Sequence, residues 1–183
     1  MIDHDLRWAV RAGDPTALLA ARLRAGDVSP ERVALAAALG HPAALELAAP
    51  AALPDDQRKR AQAACEALGK VESVRWACDL ADRALAHAWT DSSDPRPAKA
   101  VAAARAWADC PCEAHRAAAA RGARATLEPA PAPAATAAAT AWAVWTVWEV
   151  WTAWAGRDAV RSGAVTWPEA HAMMAERLLR GEP

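Results

Sequence analysis

The sequence predicts an all-α protein, an irregular helical bundle or short α-solenoid of about nine to eleven helices. Three observations point there. Alanine, the best helix former, dominates an apolar share of 54% in 183 residues. Helix start and stop signals recur at short intervals, as Gly or Pro beside a small polar residue. No run alternates apolar and polar positions with β-branched enrichment, so no sheet is expected.

The elements follow in order. Arg-Ala-Gly-Asp occurs at Arg11 to Asp14 and again at Arg24 to Asp27, and each Gly suits the left-handed end of a helix. Asp14-Pro15 and Ser29-Pro30 each place a capping side chain before a Pro in the first helical position. Helices are therefore expected near 4–12, 15–25, 30–39 and 42–48. Asp55-Asp56 suits the positive end of a further helix that stops at Gly69. Over 71–90, the residues Val74, Trp76, Cys78, Leu80, Ala81, Leu85 and Trp89 approximate a helical period.

Asp94-Pro95-Arg96-Pro97 breaks the chain before helix 97–108, whose inward face is Val101, Ala104 and Trp107 or Ala108. Helix 112–126 precedes Glu-Pro-Ala-Pro-Ala-Pro at 128–133, a linker whose prolines favour extended backbone. A Trp-rich helix over 134–155 comes next. The last helix runs from Pro168 to Arg180, introduced by Thr166 and Glu169 at capping-box spacing. The expected organisation is 1–54 as short-helix repeats, 55–127 as a central helical bundle, 128–133 as linker, and 134–183 packed with the central part.

Composition narrows the function classes. Ten Trp stand beside no Phe and no Tyr, a bias that extreme genomic GC content explains, because Trp has a single GC-rich codon. Twenty-one basic and 22 acidic side chains leave a net charge of −1 with no basic block to track a phosphate backbone, which argues against a nucleic-acid partner. Four Cys are too few for a disulfide scaffold, and the acidic start Met1-Ile2-Asp3-His4-Asp5 has no apolar signal core, so a cytoplasmic, reduced protein is expected.

Trp142, Trp145, Trp148, Trp151 and Trp154 recur at every third residue. Each step of three rotates a side chain by about 60°, so the rings spread around most of the helix rather than forming one stripe. A central helix enclosed by neighbours is the expected result, with surface rings that anchor a partner as the alternative. Residues 129–148 carry no formal charge, but the prolines, the weakly inserting Ala and Thr, and Glu149 argue against a membrane span.

Cys110-Pro111-Cys112-Glu113-Ala114-His115 gathers two thiols and an imidazole between two helices. They form a zinc-type donor set one ligand short of a structural site, which Cys78 or His87 completes only if helix 71–90 packs alongside. The competing expectation is a helix-capping turn whose Cys are small buried hydrophobes. His4, His41, His87, His115 and His171 are scattered, and no His-Glu-x-x-His pair, nucleophile elbow or phosphate loop occurs. No catalytic, cofactor-binding or metal-ligating residues and no cofactor are assigned, and a non-enzymatic role is expected.

The segment Trp76-Ala77-Cys78-Asp79-Leu80-Ala81-Asp82-Arg83-Ala84-Leu85, with Asp94 to Val101 and Ala103 to Ala108, resembles the Imm-5-like immunity proteins over residues 74–155. Leu23 to Val33 and Gly40 to Ala44 resemble amino-terminal helical repeats of proteins from myxobacteria and other GC-rich bacteria. The resemblance to immunity proteins implies a helical protein-interaction module that binds and blocks a cognate bacterial toxin. Two alternatives accompany it: metal or small-ligand binding at Cys110, Cys112 and His115, and a structural subunit that self-associates through helix 134–155.

Overall fold

The computed structural model describes residues 13–88, 94–127 and 152–180. Nine helices and no strand occur among them, so the protein is all-α. The helices are α1 (Pro15–Ala25), α2 (Pro30–Ala38), α3 (Pro42–Leu47), α4 (Gln57–Leu68), α5 (Lys70–Ala88), α6 (Arg96–Asp109), α7 (Glu113–Leu127), α8 (Thr152–Arg161) and α9 (Trp167–Leu179). The expected helix 4–12, the linker 128–133 and all of the Trp ladder before Trp154 lie outside the described residues.

Local chemistry sets several helix ends. Asp14 accepts from the amides of Thr16 and Ala17 at 2.9 and 3.1 Å, Ser29 caps Arg32 at 3.3 Å, and Asp56 caps Lys59 at 2.9 Å. At the end of α1, Gly26 takes φ +79°, and the amides of Gly26 and Asp27 turn back onto the carbonyls of Leu23 and Arg22. Only a residue without a Cβ adopts that left-handed turn cheaply. Thr166 and Glu169 form the expected reciprocal box, with the Thr166 amide donating to Glu169 at 2.7 Å and the Glu169 amide to Thr166 at 3.4 Å. His41 caps α3 through Nδ1, which accepts from the Ala44 amide at 3.3 Å, while Nε2 lies 3.3 Å from Glu176.

The chain forms two compact units, one of residues 1–54 with 171–183 and one of residues 55–170. In the first, α3 packs against α1 and α2, and Val33, Ala36, Ala44, Met174, Ala175 and Leu178 are removed from solvent. The second is built around α5, which packs on α4, α6 and α8. Val74, Trp76, Ala77, Cys78, Leu80, Ala81 and Ala84 of α5 are all fully buried, while Leu85 is half-buried. The Trp76 ring donates from Nε1 to the Ala170 carbonyl at 3.1 Å, which satisfies its one polar atom inside the core. It lies so close over α8 that a Cβ on Gly156 would stand 2.9 Å from its edge.

Small residues let these helices approach. Helix α6 buries Ala100, Val101, Ala104, Trp107 and Ala108, and it packs along α7 as a hairpin. Where the two cross, a Cβ on Gly122 would lie 3.0 Å from the Ala100 Cα, so the backbones are nearly in contact. Arg96 closes one end of the hairpin by gripping Asp94 at 2.6 Å and donating to the Ala125 carbonyl at 3.3 Å. The other end is the Cys-Pro-Cys turn.

Candidate metal and thiol site

Cys110 is the C-terminal cap of α6, its amide donating to the Ala106 carbonyl at 3.0 Å. Cys112 occupies the N-cap position of α7, where its carbonyl accepts the Arg116 amide at 3.0 Å. Only Pro111 separates them, and the Cys112 amide donates to the Cys110 carbonyl at 2.7 Å, the hydrogen bond of a three-residue γ-turn. The ring of Pro111 fixes φ near −65°, close to the value the inverse form of that turn requires. The two cysteines are thus folded toward each other by local backbone chemistry.

His115 stands one turn into α7. Its Nδ1 lies 3.4 Å from Cys112 Sγ and 3.1 Å from the Cys110 carbonyl. With its proton on Nδ1 the ring donates to that carbonyl; with the proton on Nε2, Nδ1 presents a lone pair beside the sulfur. Donor atoms of Cys110, Cys112 and His115 all lie within 4.8 Å of one another. Both cysteines are exposed and the histidine is half-buried, so the cluster opens to solvent.

The two thiols are electrostatically unequal. The backbone N–H of His115 holds the Cys112 thiol below its ordinary range, helped by Cys110 and by the Ala114 amide. Hydrogen bonding and repulsion from Cys112 push the Cys110 thiol above that range. The flanking acids are engaged with arginines: Asp109 with Arg75 at 3.0 Å and Glu113 with Arg116 at 2.6 Å. Arg75 also donates to the Ala108 carbonyl at 3.2 Å, which pins the last turn of α6 to α5 and so steadies Cys110.

Neither Cys78 nor His87 completes the set from α5. That helix does pack on α6, but Cys78 is buried with its sulfur 3.9 Å from the Val101 carbonyl, nine residues before Cys110. Nine residues of helix separate the two by about 13 Å along the axis. His87 points elsewhere, its Nε2 lying 3.6 Å from where a side chain on Gly163 would begin. Among the described residues, the set of clustered ligands is the three of the turn. The competing expectation, that Cys110 and Cys112 are buried hydrophobes, is also corrected: the turn caps α7, yet both thiols face outward, and the buried cysteines are Cys65 and Cys78.

No family model, curated protein or solved structure matches this chain. Of the positions read as similar to immunity proteins, Trp76, Cys78, Leu80, Ala81, Val101, Ala104 and Trp107 are buried, whereas Asp82, Arg83, Pro95, Ala98 and Lys99 are exposed. Among the described residues, no helix is long and apolar enough to cross a membrane.

Proposed function

We propose that the protein binds a thiophilic metal ion through Cys110, Cys112 and His115. The observation that carries this reading is the convergence of two sulfurs and an imidazole nitrogen within 4.8 Å on a turn whose backbone is already closed. Soft thiolate donors favour zinc or monovalent copper over calcium or magnesium, which demand oxygen ligands. Three protein ligands, rather than the four of a closed structural site, leave a coordination position for solvent or a small ligand. A reducing, cytoplasmic setting belongs to the same reading, because it keeps both thiols available.

Binding requires both cysteines as thiolates, so the ion displaces protons and its affinity rises with pH. The lowered Cys112 thiol gives up its proton first, and a bound cation then favours loss of the second from Cys110. The test is metal content after purification without chelators, followed by zinc and monovalent copper titration of the full chain. The wild type takes up an ion, and Cys110→Ser, Cys112→Ser and His115→Ala each weaken uptake, by tenfold or more for the cysteines, on the order of 1.4 kcal/mol or above. A wild type that takes up neither metal, or a Cys112→Ser variant that binds as tightly, overturns the proposal.

A further inference from the structure

We propose that Cys110-Pro111-Cys112 is also a dithiol–disulfide exchange site, in which Cys112 attacks an external disulfide and Cys110 resolves the mixed disulfide. It uses residues of the metal site but needs no ion, so the two chemistries are tested apart.

Reach comes first. An intramolecular disulfide requires Cα atoms about 4.4–6.8 Å apart. Two residues separated by one other are joined by two steps of about 3.8 Å, and a turn that closes them brings the ends inside that window. The hydrogen bond from the Cys112 amide to the Cys110 carbonyl at 2.7 Å is that closure, and the sulfurs already lie within 4.8 Å. Rotation about the side-chain torsions then suffices to join them, without unwinding either helix.

Access and asymmetry come next. Cys110 and Cys112 are exposed, whereas Cys65 and Cys78 are buried, so an external disulfide meets the turn and not the core thiols. Cys112 sits at the amino end of α7, where the amides of Ala114 and His115 face its sulfur and favour an anion, and where His115 Nδ1 lies 3.4 Å from it. Cys110 sits at the carbonyl end of α6, where the opposite end of a helix dipole disfavours one. Geometry thus assigns Cys112 as the attacking sulfur and Cys110 as the resolving one.

The steps balance. The Cys112 thiolate attacks one sulfur of a low-molecular-mass disulfide such as oxidised glutathione, the S–S bond breaks, and the first thiolate leaves and takes a proton from water. Cys110 then gives its proton to solvent, its thiolate attacks Cys112 Sγ, the mixed S–S bond breaks, and the second thiolate leaves and takes a proton from water. Two electrons pass from the protein dithiol to the external disulfide, which becomes two thiols, while the protein gains one S–S bond.

The experiment equilibrates the full chain with oxidised and reduced glutathione in the presence of a strong chelator, quenches with acid, and reads each cysteine by alkylation and mass spectrometry. Wild type is expected to accumulate the Cys110–Cys112 disulfide with little mixed disulfide. Cys110→Ser is expected to stall as a glutathione adduct on Cys112, and Cys112→Ser to form adducts at least tenfold more slowly. Reduced glutathione restores both thiols in the wild type. The proposal is overturned if the wild type shows no disulfide between the two cysteines, if Cys110 is modified as fast as Cys112, or if the pair, once oxidised, resists reduced glutathione. Because the chelator removes metal throughout, failure here leaves the metal proposal standing, and failure of metal uptake leaves this one standing.

Discussion

Cys112 illustrates how one side chain acquires chemistry from position alone. A thiol at an N-cap meets the free amides of the first helical turn, and the His115 amide is the largest influence lowering its proton affinity. Glu169 shows the same principle with a carboxylate. The Thr166 amide and hydroxyl hold its carboxyl below the ordinary 4.5, so the native state binds its proton less readily than the unfolded chain. The contribution is therefore fully present above 4.5 and is lost as pH falls through the lowered native value. Glu169→Gln keeps a capping-box partner but removes the titration, so melting temperature is expected to fall less steeply with acid in the variant than in the wild type. Equal acid slopes for the two proteins would contradict this account of the cap. Such caps are legible in sequence because they depend on neighbours within three or four residues, as for Asp14, Ser29 and Asp56. Exposure of Cys110 and Cys112 was not legible, because it depends on which faces of α6 and α7 meet.

Between elements, the decisive contacts involve residues with nothing beyond the Cβ. The α6–α7 hairpin that presents the site closes where Gly122 crosses Ala100, with room for little more than a hydrogen. Alanine at position 122 gains about 1 kcal/mol of helix propensity. Overpacking against a backbone atom at 3.0 Å costs about 1–3 kcal/mol, and the contact is with Cα rather than with a mobile side chain. The cost wins, so Gly122→Ala is expected to lower the melting temperature by several degrees in thermal unfolding followed by circular dichroism. An unchanged or raised melting temperature would show that the helices part freely at that crossing. Nothing in the local sequence marks Gly122 or Gly156 for these roles, since a mid-helix glycine signals a close approach only when the neighbour is known. The helix periods themselves were plain: the expected inward residues Val101, Ala104, Trp107 and Ala108 are all buried.

At the scale of the molecule, alanine abundance translates into interiors assembled from thin side chains and close helix crossings, and among the described residues Trp76 is the largest fully buried side chain. The all-α class follows from punctuation and periodicity that act locally at every helix. Partner and role do not follow in the same way, because local periodicity fixes which positions are buried and not what meets the exposed ones, such as Asp82 and Arg83. Trp142, Trp145, Trp148 and Trp151 lie outside the described residues, and so does the central-helix expectation for that part of the ladder. The most direct test of the metal proposal is X-ray absorption at the metal edge of the zinc-loaded full chain. Two sulfurs and an imidazole nitrogen in the inner shell are the predicted result, and a shell of oxygen and nitrogen alone would contradict it.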